Sequence, residues 1–599
     1  MLAFVAVAVV AAPLAAGVGF GDALAKGATA AVLVDDFCVQ PASGATRRLN
    51  RLDGDRGLLD GTPGSTLAWG QCGATAEGQI GSWSSLSHAD QEKDSIDFSS
   101  ILPDQIDAAF QPRVTQLAVH LDDGTGSFGV ELRAPDGSVA WSSTAGLSGG
   151  ARDLAFDLPK LHAIHRLNWS VSGTATLRRL TLVAAVPSSV AALSTPQRAF
   201  LWSYGMLLGN WDRSTGLTRE RADQPLAEMA DVPAMGMQAA AAVAAWRLGF
   251  VARDAAELVV SGTARALLAL PRTCHGLWPR YVAKAAVAPG AEWSSLGTVL
   301  AAVPLIEAEQ ALNLDTSSIR QVLNGVEWGA LLLDDGTISR GYDAGCANRS
   351  TSGWKTFGGD AWMANLGYAA ATGLTTPVST SPPTANGSGD ADELAWLLFP
   401  PPAAAAATGD WPGYRQQAVD RQVAYYAGHP CYGPRGLFGL SGAEVPDPSA
   451  VAPGQVYQSF GVGGIGPAND GTAIVGHAVA VPYEAALAAA LRPSASGVAW
   501  EWLEANGLAG PLNQVESMAF ADEPTCQQAT WSSVKRSWTL ALEALGWARA
   551  LVGCSANPLY QSTWKNNFLA RALPLVAPDG SACRSTLLPT VLNDARPPG

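Results

Sequence analysis

Carboxylate, tryptophan and glycine residues occur together at predicted helix ends between Glu292 and Gly373. The stretch begins with Glu292-Trp293-Ser294-Ser295 and ends in a segment that contains Asp360. Glycoside hydrolysis uses two carboxyl groups: one is protonated and helps the leaving oxygen to depart, and the other activates water or attacks directly. Tryptophan offers a flat apolar surface to the C–H face of a sugar ring. The stretch therefore predicts a sugar-handling cleft.

Several acids are candidates for this chemistry. Glu292 lies before a predicted helix beside Trp293, and an apolar neighbour raises the pKa of a carboxyl group by desolvation. Its alternative role is a first-turn carboxylate that the helix dipole stabilises. Glu444 and Asp470 lie in glycine-rich loops and are candidates for the second carboxylate, although Asp470 fits an Asx turn equally well. Glu516 follows a Gly-Pro turn and is expected to face the same cleft.

A second group of acids surrounds the turn at Asp334-Asp335-Gly336. Asp334 and Asp335 are expected to be solvated turn residues. Asp343, close to Arg340 and Tyr342, is a candidate acceptor for sugar hydroxyl groups. Because Asp-rich turns can also hold calcium, a structural ion is the alternative interpretation, but we predict neither a catalytic metal nor a cofactor.

The elements that must position these residues change along the chain. From about Val32 to Val186, apolar residues alternate with a period of two between Asp-Gly turns, which predicts an antiparallel β-sandwich. Residues 187–195 have the composition of a linker, and Thr195-Pro196 predicts the start of a helix. The period then becomes 3.6, with Asp254 as the predicted cap of one helix and further helices predicted near residues 296–314, 316–332, 359–372, 390–399, 412–427, 479–491, 531–552 and 561–573. Roughly a dozen helices in antiparallel succession predict an (α/α) toroid of about six helical hairpins over residues 196–585, with function in the loops at one end.

The sandwich, residues 30–186, has two interpretations. Its opening strand, Val34-Asp35-Asp36-Phe37, resembles that of jelly-roll carbohydrate-binding modules. Because no row of aromatic residues can be placed on one exposed face, a domain that only packs on the helical part is the favoured alternative.

The N-terminal residues and the cysteines predict export. Residues 1–25 form an apolar segment with an Ala-x-Ala-like end, typical of a secretory signal peptide or, as the alternative, an uncleaved anchor. The chain has eight cysteines and no C-x-x-C pair, which favours disulfides over zinc. Proximity in sequence suggests Cys38–Cys72 and Cys554–Cys583. A secreted or periplasmic location follows.

Charge and motifs exclude other classes of function. The net charge of −14, from 38 basic and 52 acidic residues, disfavours nucleic acid or an anionic membrane surface as a partner. A membrane contact is expected only through an uncleaved N-terminal segment. A nucleophilic pair such as Cys274-His275 would need a free thiol, and no P-loop, G-x-S-x-G or H-E-x-x-H motif occurs. A polysaccharide or oligosaccharide is the predicted partner.

The helical half resembles the glycoamylase-like family, which includes endo-β-1,2-glucanases and parts of cyclic β-1,2-glucan synthases. The resemblance follows the family's order of motifs over most of residues 211–490. Its motifs are Trp211-Asp212-Arg213, Leu277-Trp278-Pro279-Arg280-Tyr281, Glu292-Trp293-Ser294-Ser295-Leu296-Gly297-Thr298, the segment from Trp354 to Gly373, Gly436-Leu437-Phe438-Gly439-Leu440 with Glu444, and Asn469-Asp470-Gly471-Thr472. The resemblance implies the toroid fold and activity on a glucan, with β-1,2-glucan favoured.

Two positions depart from the family's motifs. Gly297 stands where the resemblance implies an Asp, and Asp360 stands where it implies a Glu, with Gly358 and Gly359 before it. The first change removes a carboxylate, and the second moves an acid group by more than about 1 Å, enough to impair a positioned proton transfer.

Taken together, the motifs predict a β + α multidomain protein with a jelly-roll-like sandwich followed by the toroid. The predicted function is an exported glycoside hydrolase that cleaves or transfers a glucan-type polysaccharide; the alternative is a non-catalytic carbohydrate-binding or polysaccharide-assembly protein. The predicted catalytic acids are Asp360, which leads through its motif position, Glu292, Glu444 and Asp470. The predicted substrate-binding residues are Trp211, Trp278, Arg280, Trp293, Asp343, Trp354, Trp362 and Glu516.

Overall fold

The structure is a computed structural model that describes residues 29–35, 66–69, 74–77, 97–164, 166–222, 229–381, 389–398, 411–447, 451–452, 456–461, 470–523, 525–526, 529–532 and 536–552. Its strands are β1 (Thr29–Asp35), β2 (Thr66–Trp69), β3 (Ala74–Glu77), β4 (Arg113–Arg133), β5 (Val139–Ser148), β6 (Arg152–Asp157), β7 (Arg166–Ala185), β8 (Ala230–Asp231), β9 (Tyr281–Ala283), β10 (Ala286–Val287), β11 (Trp293–Ser294), β12 (Gly341–Tyr342), β13 (Gly442–Glu444), β14 (Tyr457–Ser459), β15 (Val479–Ala480), β16 (Ser517–Phe520) and β17 (Ala529–Ser532).

Its helices are α1 (Ser188–Ala191), α2 (Thr195–Gly209), α3 (Val232–Arg247), α4 (Arg253–Ala269), α5 (Ser295–Ala311), α6 (Ser317–Asn324), α7 (Trp328–Leu331), α8 (Gly359–Thr372), α9 (Gly389–Leu398), α10 (Trp411–Ala427), α11 (Thr472–Val475), α12 (Glu484–Ala488), α13 (Pro493–Ala505) and α14 (Ser537–Val552). The chain therefore combines antiparallel sheets with helices, as the sequence predicts.

The strands β1 to β7 form one antiparallel hydrogen-bonded sheet. Its order is β2-β3-β7-β4-β5, with β1 also paired to β7 and β6 also paired to β4. The long strands β4 and β7 pair along their whole length, and the register of β4 shifts between His120 and Asp123. From Ser127 to Arg133 alternate residues of β4 are buried, because one face of the strand packs on the core, whereas the five residues from Leu117 to Leu121 are all buried.

Aromatic rings from both halves of this sheet meet in its core. Phe128 of β4 stacks on Trp169 of β7 with 6.1 Å between ring centroids, and it also packs against Phe156 of β6 at 6.4 Å. Trp141 of β5 contacts the same Phe156 at 6.4 Å. Strands that pair with different halves of β4 therefore share one hydrophobic core.

The segment 187–195, which has the composition of a linker, contains the short helix α1. The following helix, α2, is capped by Ser194, whose side chain pairs with Gln197 in a capping box. The helix therefore begins at Thr195-Pro196 as predicted, but its N-cap is Ser194 and not Thr195, because Ser194 supplies both the hydroxyl and the extended backbone that an N-cap needs.

Six helices contact one another in a closed cycle: α14, α3, α5, α8, α9 and α12, which returns to α14. The remaining long helices pack outside this cycle; α2 and α4, for example, both contact α3. Helices α3 and α5 are apolar on nearly every side, as expected for helices that have neighbours all round. At Gly236 a Cβ would lie 2.2 Å from the Leu300 carbonyl oxygen, so this glycine allows the two helices to approach closely.

Several predicted helices have different bounds. The predicted helix 316–332 is two helices, α6 and α7, because the chain breaks at Gly325. The predicted helices 479–491 and 531–552 each begin as a strand, β15 and β17, and only their later parts are helical. Asp254 lies in the first turn of α4 and does not cap it, since Ala252 is the N-cap. The predicted helix 561–573 lies outside the described residues.

Among the residues that the structure describes, two disulfides join distant loops: Cys274 bonds to Cys346, and Cys431 bonds to Cys526. Bonds of this kind are typical of proteins from oxidising compartments. The suggested pairs Cys38–Cys72 and Cys554–Cys583 lie outside the described residues, as does the N-terminal apolar segment.

Within the described ranges, none of the helices has the length and apolar character required to cross a bilayer.

Candidate active site

The starts of α8, α9 and α12 pack against one another at one end of the helical cycle. A Cβ on Gly359 would lie 2.8 Å from the carbonyl oxygens of Ala391 and Asp392, so α8 can approach α9 only with glycine at this position. A Cβ on Gly389 would likewise collide with the Glu484 carboxyl group. The first-turn acids of three helices are therefore brought together.

Asp360, in the first turn of α8, is the acid at the centre of this arrangement. Its side chain is partly exposed to solvent. Burial, together with the charges of Asp390 and Asp392, raises its pKa to about 8, and the opposing charges of Arg280 and Arg340 only partly offset this. The positive end of a helix normally lowers the pKa of a carboxyl group. Here desolvation and like charges outweigh the dipole, so Asp360 is largely protonated at neutral pH.

Asp390, at the start of α9, is a second partly exposed carboxylate beside Asp360. One oxygen, Oδ1, accepts hydrogen bonds from the Ser441 hydroxyl and the Gly442 backbone N–H, both at 3.2 Å. The other oxygen, Oδ2, lies 2.7 Å from the position that a Cβ on Gly442 would take, and the Tyr457 hydroxyl lies 2.6 Å from the same point. The negative charge of Asp390 raises the pKa of groups on several elements, among them Asp360, Tyr457 and Glu484.

A buried network of ion pairs supports the starts of α9 and α12. Arg415 of α10 is fully buried and donates hydrogen bonds to Asp392 at 3.3 Å, Glu393 at 2.7 Å and Glu484 at 3.0 Å. Arg549 of α14 also binds Glu393, at 2.7 Å. Three carboxylates thus share two arginines, and burial raises the pKa of Asp392 to about 6 and that of Glu484 to about 8.

We expect Arg415→Met to lower the free energy of unfolding by about 3–5 kcal/mol, because the substitution leaves buried carboxylates without their cation. Arg492→Met is the matched control: Arg492 forms a two-pronged pair with Asp420 at 2.6 and 2.7 Å, but the two side chains are 39% and 46% exposed. An exposed pair of this kind contributes less than about 1 kcal/mol. Urea unfolding of both variants checks the difference, and equal losses would contradict the role given to Arg415.

A second buried network lies beneath strand β14 and contains two of the predicted site acids. Glu444 binds Arg221 at 2.9 Å and Arg536 at 3.2 Å, and its backbone N–H donates to Glu516 Oε1 at 3.0 Å. Arg536 also pairs with Glu220. Burial and the neighbouring Glu444 raise the pKa of Glu516 to about 8. Both acids are buried, so they support the wall of the cleft and do not face it.

The raised pKa values predict how stability changes with pH. Asp360, Glu484 and Glu516 have folded-state pKa values near 8, against about 4 in an unfolded chain. Between pH 5 and 8 the folded protein therefore binds more protons than the unfolded chain, and stability falls as pH rises. We expect a higher melting temperature at pH 5.5 than at pH 8.5, and a smaller difference in Glu516→Gln. A melting temperature that rises over this range would contradict the assignment.

The structure places Glu292 at the edge of the same region but does not bury it. Its side chain is 55% exposed, and its Oε1 lies 3.9 Å from Arg280 Nη1. The expected desolvation by Trp293 is therefore absent, because the Trp293 ring turns into the core while Glu292 faces solvent. Arg280 connects Glu292 to the centre of the site, since its charge also acts on Asp360 and Tyr457.

Two other predicted site acids, Asp470 and Asp343, make their contacts away from Asp360. Asp470 is buried, accepts a hydrogen bond from the Thr472 N–H at 2.9 Å and binds the Tyr425 hydroxyl, which fits the Asx-turn alternative. Asp343 accepts hydrogen bonds from the Ala347 N–H at 2.9 Å and the Asn348 amide at 2.5 Å, and so organises its own loop. Neither set of contacts includes a residue of the Asp360 cluster.

Four of the five tryptophans proposed to bind substrate are buried in the core: Trp211, Trp278, Trp293 and Trp362. The indole N–H of Trp278 donates to the Leu267 carbonyl oxygen at 3.0 Å, and that of Trp293 donates to Ala344 at 3.2 Å. A buried ring exposes no face to a sugar, so these four tryptophans are not substrate-binding residues in the proposed function. Trp354 is partly exposed, binds the Ser295 hydroxyl at 2.9 Å and has the Arg340 guanidinium 4.9 Å from its ring centroid.

Sequence reasoning missed Asp390 and Tyr457. Asp390 follows Gly389 at a predicted helix start, as Asp360 follows Gly359, so the same criterion applied twice finds it. Tyr457 lies on a three-residue strand, whose pairing with β13 carries no periodic signal in the sequence.

Comparison with known proteins finds several solved structures, all at low sequence identity to this chain. No family model matches the chain, and no curated protein matches it. A β-1,2-glucanase from Parabacteroides distasonis is 11% identical, with a TM-score of 0.49, over 88% of this chain and 99% of that one. An endo-β-1,2-glucanase from Chitinophaga pinensis, seen with sophorotriose and glucose, is 12% identical, with a TM-score of 0.48, over 64% and 98%.

A protein from Bacteroides uniformis, provisionally described as a glucoamylase, is 13% identical, with a TM-score of 0.49, over 64% of this chain and 97% of that one. Likenesses at this level of identity and TM-score do not assign an activity to this chain. Two of these structures are described as β-1,2-glucanases, the kind of protein named in the motif resemblance.

Proposed function

We propose that this protein is an exported glycoside hydrolase that acts on a glucan-type polysaccharide, with β-1,2-glucan favoured by the motif resemblance. One observation carries the proposal: a partly exposed acid, Asp360, is held protonated next to a second partly exposed carboxylate, Asp390, at the starts of adjoining helices. Glycosidic cleavage requires a protonated carboxyl group together with a second carboxyl group nearby. The two disulfides are in keeping with export.

In this proposal each acid has a distinct role. Asp360 transfers its proton to the glycosidic oxygen while the bond between that oxygen and the anomeric carbon breaks. The Asp390 carboxylate removes a proton from the water that attacks the anomeric carbon, or attacks the carbon itself and is later released by water. Either route consumes one water and forms one new reducing end. Asp390 replaces Glu444 and Asp470 as the second carboxylate, because the structure gives those two residues other partners.

The charged and aromatic residues around the two acids supply binding groups. Arg280, Arg340 and Glu292 are polar groups suited to sugar hydroxyls, and the partly exposed ring of Trp354 lies beside Arg340. We further propose that the closed helix cycle is an (α/α) toroid with the site at its mouth, and that the single seven-stranded sheet folds over on itself as a jelly-roll-like sandwich packed beside the toroid.

Incubation of the purified protein with β-1,2-glucan and a panel of other polysaccharides tests this proposal. We expect new reducing ends from at least one glucan. Binding without product on every glycan would instead support the non-catalytic alternative, which Gly297 favours because it supplies no carboxylate at the start of α5.

A further inference from the structure

Tyr457 is an exposed aromatic residue within the proposed cleft. Its side chain is 40% exposed, and among the large hydrophobic residues of the described ranges that are exposed, it is the aromatic one; the others are Val139, Leu374 and Val498. Strand pairing of Tyr457 with Glu444 fixes its backbone, and its hydroxyl converges with Asp390 on the space above Gly442. An exposed ring at a built polar site is suited to contact a ligand.

The ring of Tyr457 packs against the guanidinium group of Arg536. The Arg536 guanidinium lies 5.1 Å from the ring centroid, a cation–π distance. Arg536 is itself fixed by ion pairs with Glu220, with Glu444 at 3.2 Å and with Glu516 at 3.6 Å. Because these partners are buried, the ring is pre-organised and loses little conformational entropy when a ligand binds.

A second cation lies near Tyr457 on the side of Asp360. The charge of Arg280 acts on both Tyr457 and Asp360, so its guanidinium lies in the neighbourhood of both. Arg280 is held by the Tyr281 hydroxyl at 3.1 Å and lies 6.0 Å from the Trp538 ring centroid. The space beside Asp360 and Asp390 therefore has the ring of Tyr457 and the hydrogen-bond donors of Arg280 as neighbours.

We propose that Tyr457 is the stacking platform for the sugar ring next to the bond that is cleaved, and so determines specificity for a pyranose with a flat apolar face, such as glucose. The inference rests on the proposed function and deepens it. The axial C–H groups of such a ring contact the tyrosine face, while the equatorial hydroxyls reach Arg280 and Asp390. An axial hydroxyl on the stacked face would separate sugar and ring and weaken binding.

Calorimetric binding of a β-1,2-linked glucose pentasaccharide to proteins that carry Asp360→Asn tests the platform without turnover. We expect Tyr457→Ala to weaken binding about tenfold and Tyr457→Phe to weaken it much less, because phenylalanine retains the ring. In proteins with Asp360 intact, Tyr457→Ala should raise KM more than it lowers kcat. Equal melting temperatures confirm that each variant is folded.

Trp246→Ala is the matched control, since Trp246 also forms an arginine–aromatic pair, 4.7 Å from Arg247, but at the far end of α3. This control should bind like the parent protein. Equal losses for Tyr457→Ala and Tyr457→Phe would show that the hydroxyl acts and not the ring face, and unchanged binding in Tyr457→Ala would also overturn the platform.

The two proposals fail in different ways. If the oligosaccharide binds but the intact protein forms no product, the enzymatic function is lost and the Tyr457 comparison still decides the platform. If no oligosaccharide of the polysaccharide panel binds, the platform is overturned together with the proposed function.

Discussion

Asp360→Asn is expected to lower kcat on a glucan substrate by about 10²- to 10⁴-fold, the range for a lost general acid, while substrate affinity changes little. Asparagine keeps the size and polarity of the side chain but cannot donate a carboxylic proton. In the wild-type protein, burial and the neighbouring Asp390 and Asp392 hold that proton at neutral pH. The loss should therefore appear in the chemical step and not in binding.

Varying the leaving group of the substrate tests the role of Asp360 as the acid more specifically. A substrate with a nitrophenyl leaving group needs little protonation, so Asp360→Asn should retain far more activity on it than on the glucan. The matched control is Asp335→Asn, because Asp335 is held in an exposed turn by Thr337 and Lys355. Similar losses on both substrates would show that Asp360 does not act as the acid.

Asp390→Asn is the second variant with a large expected effect, again about 10²-fold or more on the glucan. A nitrophenyl leaving group should not restore the activity of this variant, because the missing Asp390 carboxylate acts on water or on the anomeric carbon and not on the leaving oxygen. The hydrogen bonds from Ser441 and Gly442 to Oδ1 are compatible with an amide oxygen, so the loop that holds the residue should remain in place.

Azide distinguishes the two acids further, because a small anion can occupy the space of a removed carboxylate. We expect azide to raise the rate of Asp390→Asn and to leave Asp360→Asn on the glucan unchanged. Asp420→Asn, at an exposed ion pair with Arg492 on the outer helices, is the control and should match the wild type. Wild-type rates in Asp390→Asn would remove this residue from the proposed mechanism.

The sequence predicts the helical elements of the site better than its contacts. Helix periodicity and the glycine pair before Asp360 predict the helix 359–372, which is the observed span of α8. The motif position of Asp360 then selects the acid that the structure places at the cluster's centre. The helix prediction succeeds because it depends on residues close together in the chain.

Burial and long-range pairing are much harder to predict from sequence. Nothing local distinguishes Trp354, which is partly exposed, from Trp362 one helix turn into α8, which is buried. The sequence predicts that Glu444 and Glu516 lie in loops at a cleft, yet ion pairs with the distant residues Arg221 and Arg536 hold them in a buried network. The ring of Tyr457 faces the site because of a strand pair that only tertiary structure creates.

The two departures from the family's motifs have a structural setting. Gly297 lies in the first turn of α5, where a Cβ would be 3.2 Å from Pro233 of α3, so a longer acidic side chain would have to displace that contact. The glycines before Asp360 allow α8 to close on α9. In the proposed mechanism the second carboxyl group comes from Asp390, on a different helix.

The pH dependence of kcat/KM for the wild-type protein on its glucan tests the central claim most directly, because it reports the protonation state of the free enzyme's essential acid. With Asp360 as that acid and its pKa near 8, the rate should stay high through neutral pH and fall tenfold per unit above about pH 8. A rate that is independent of pH up to 9.5, or that already falls above pH 5, would contradict a proton held on Asp360.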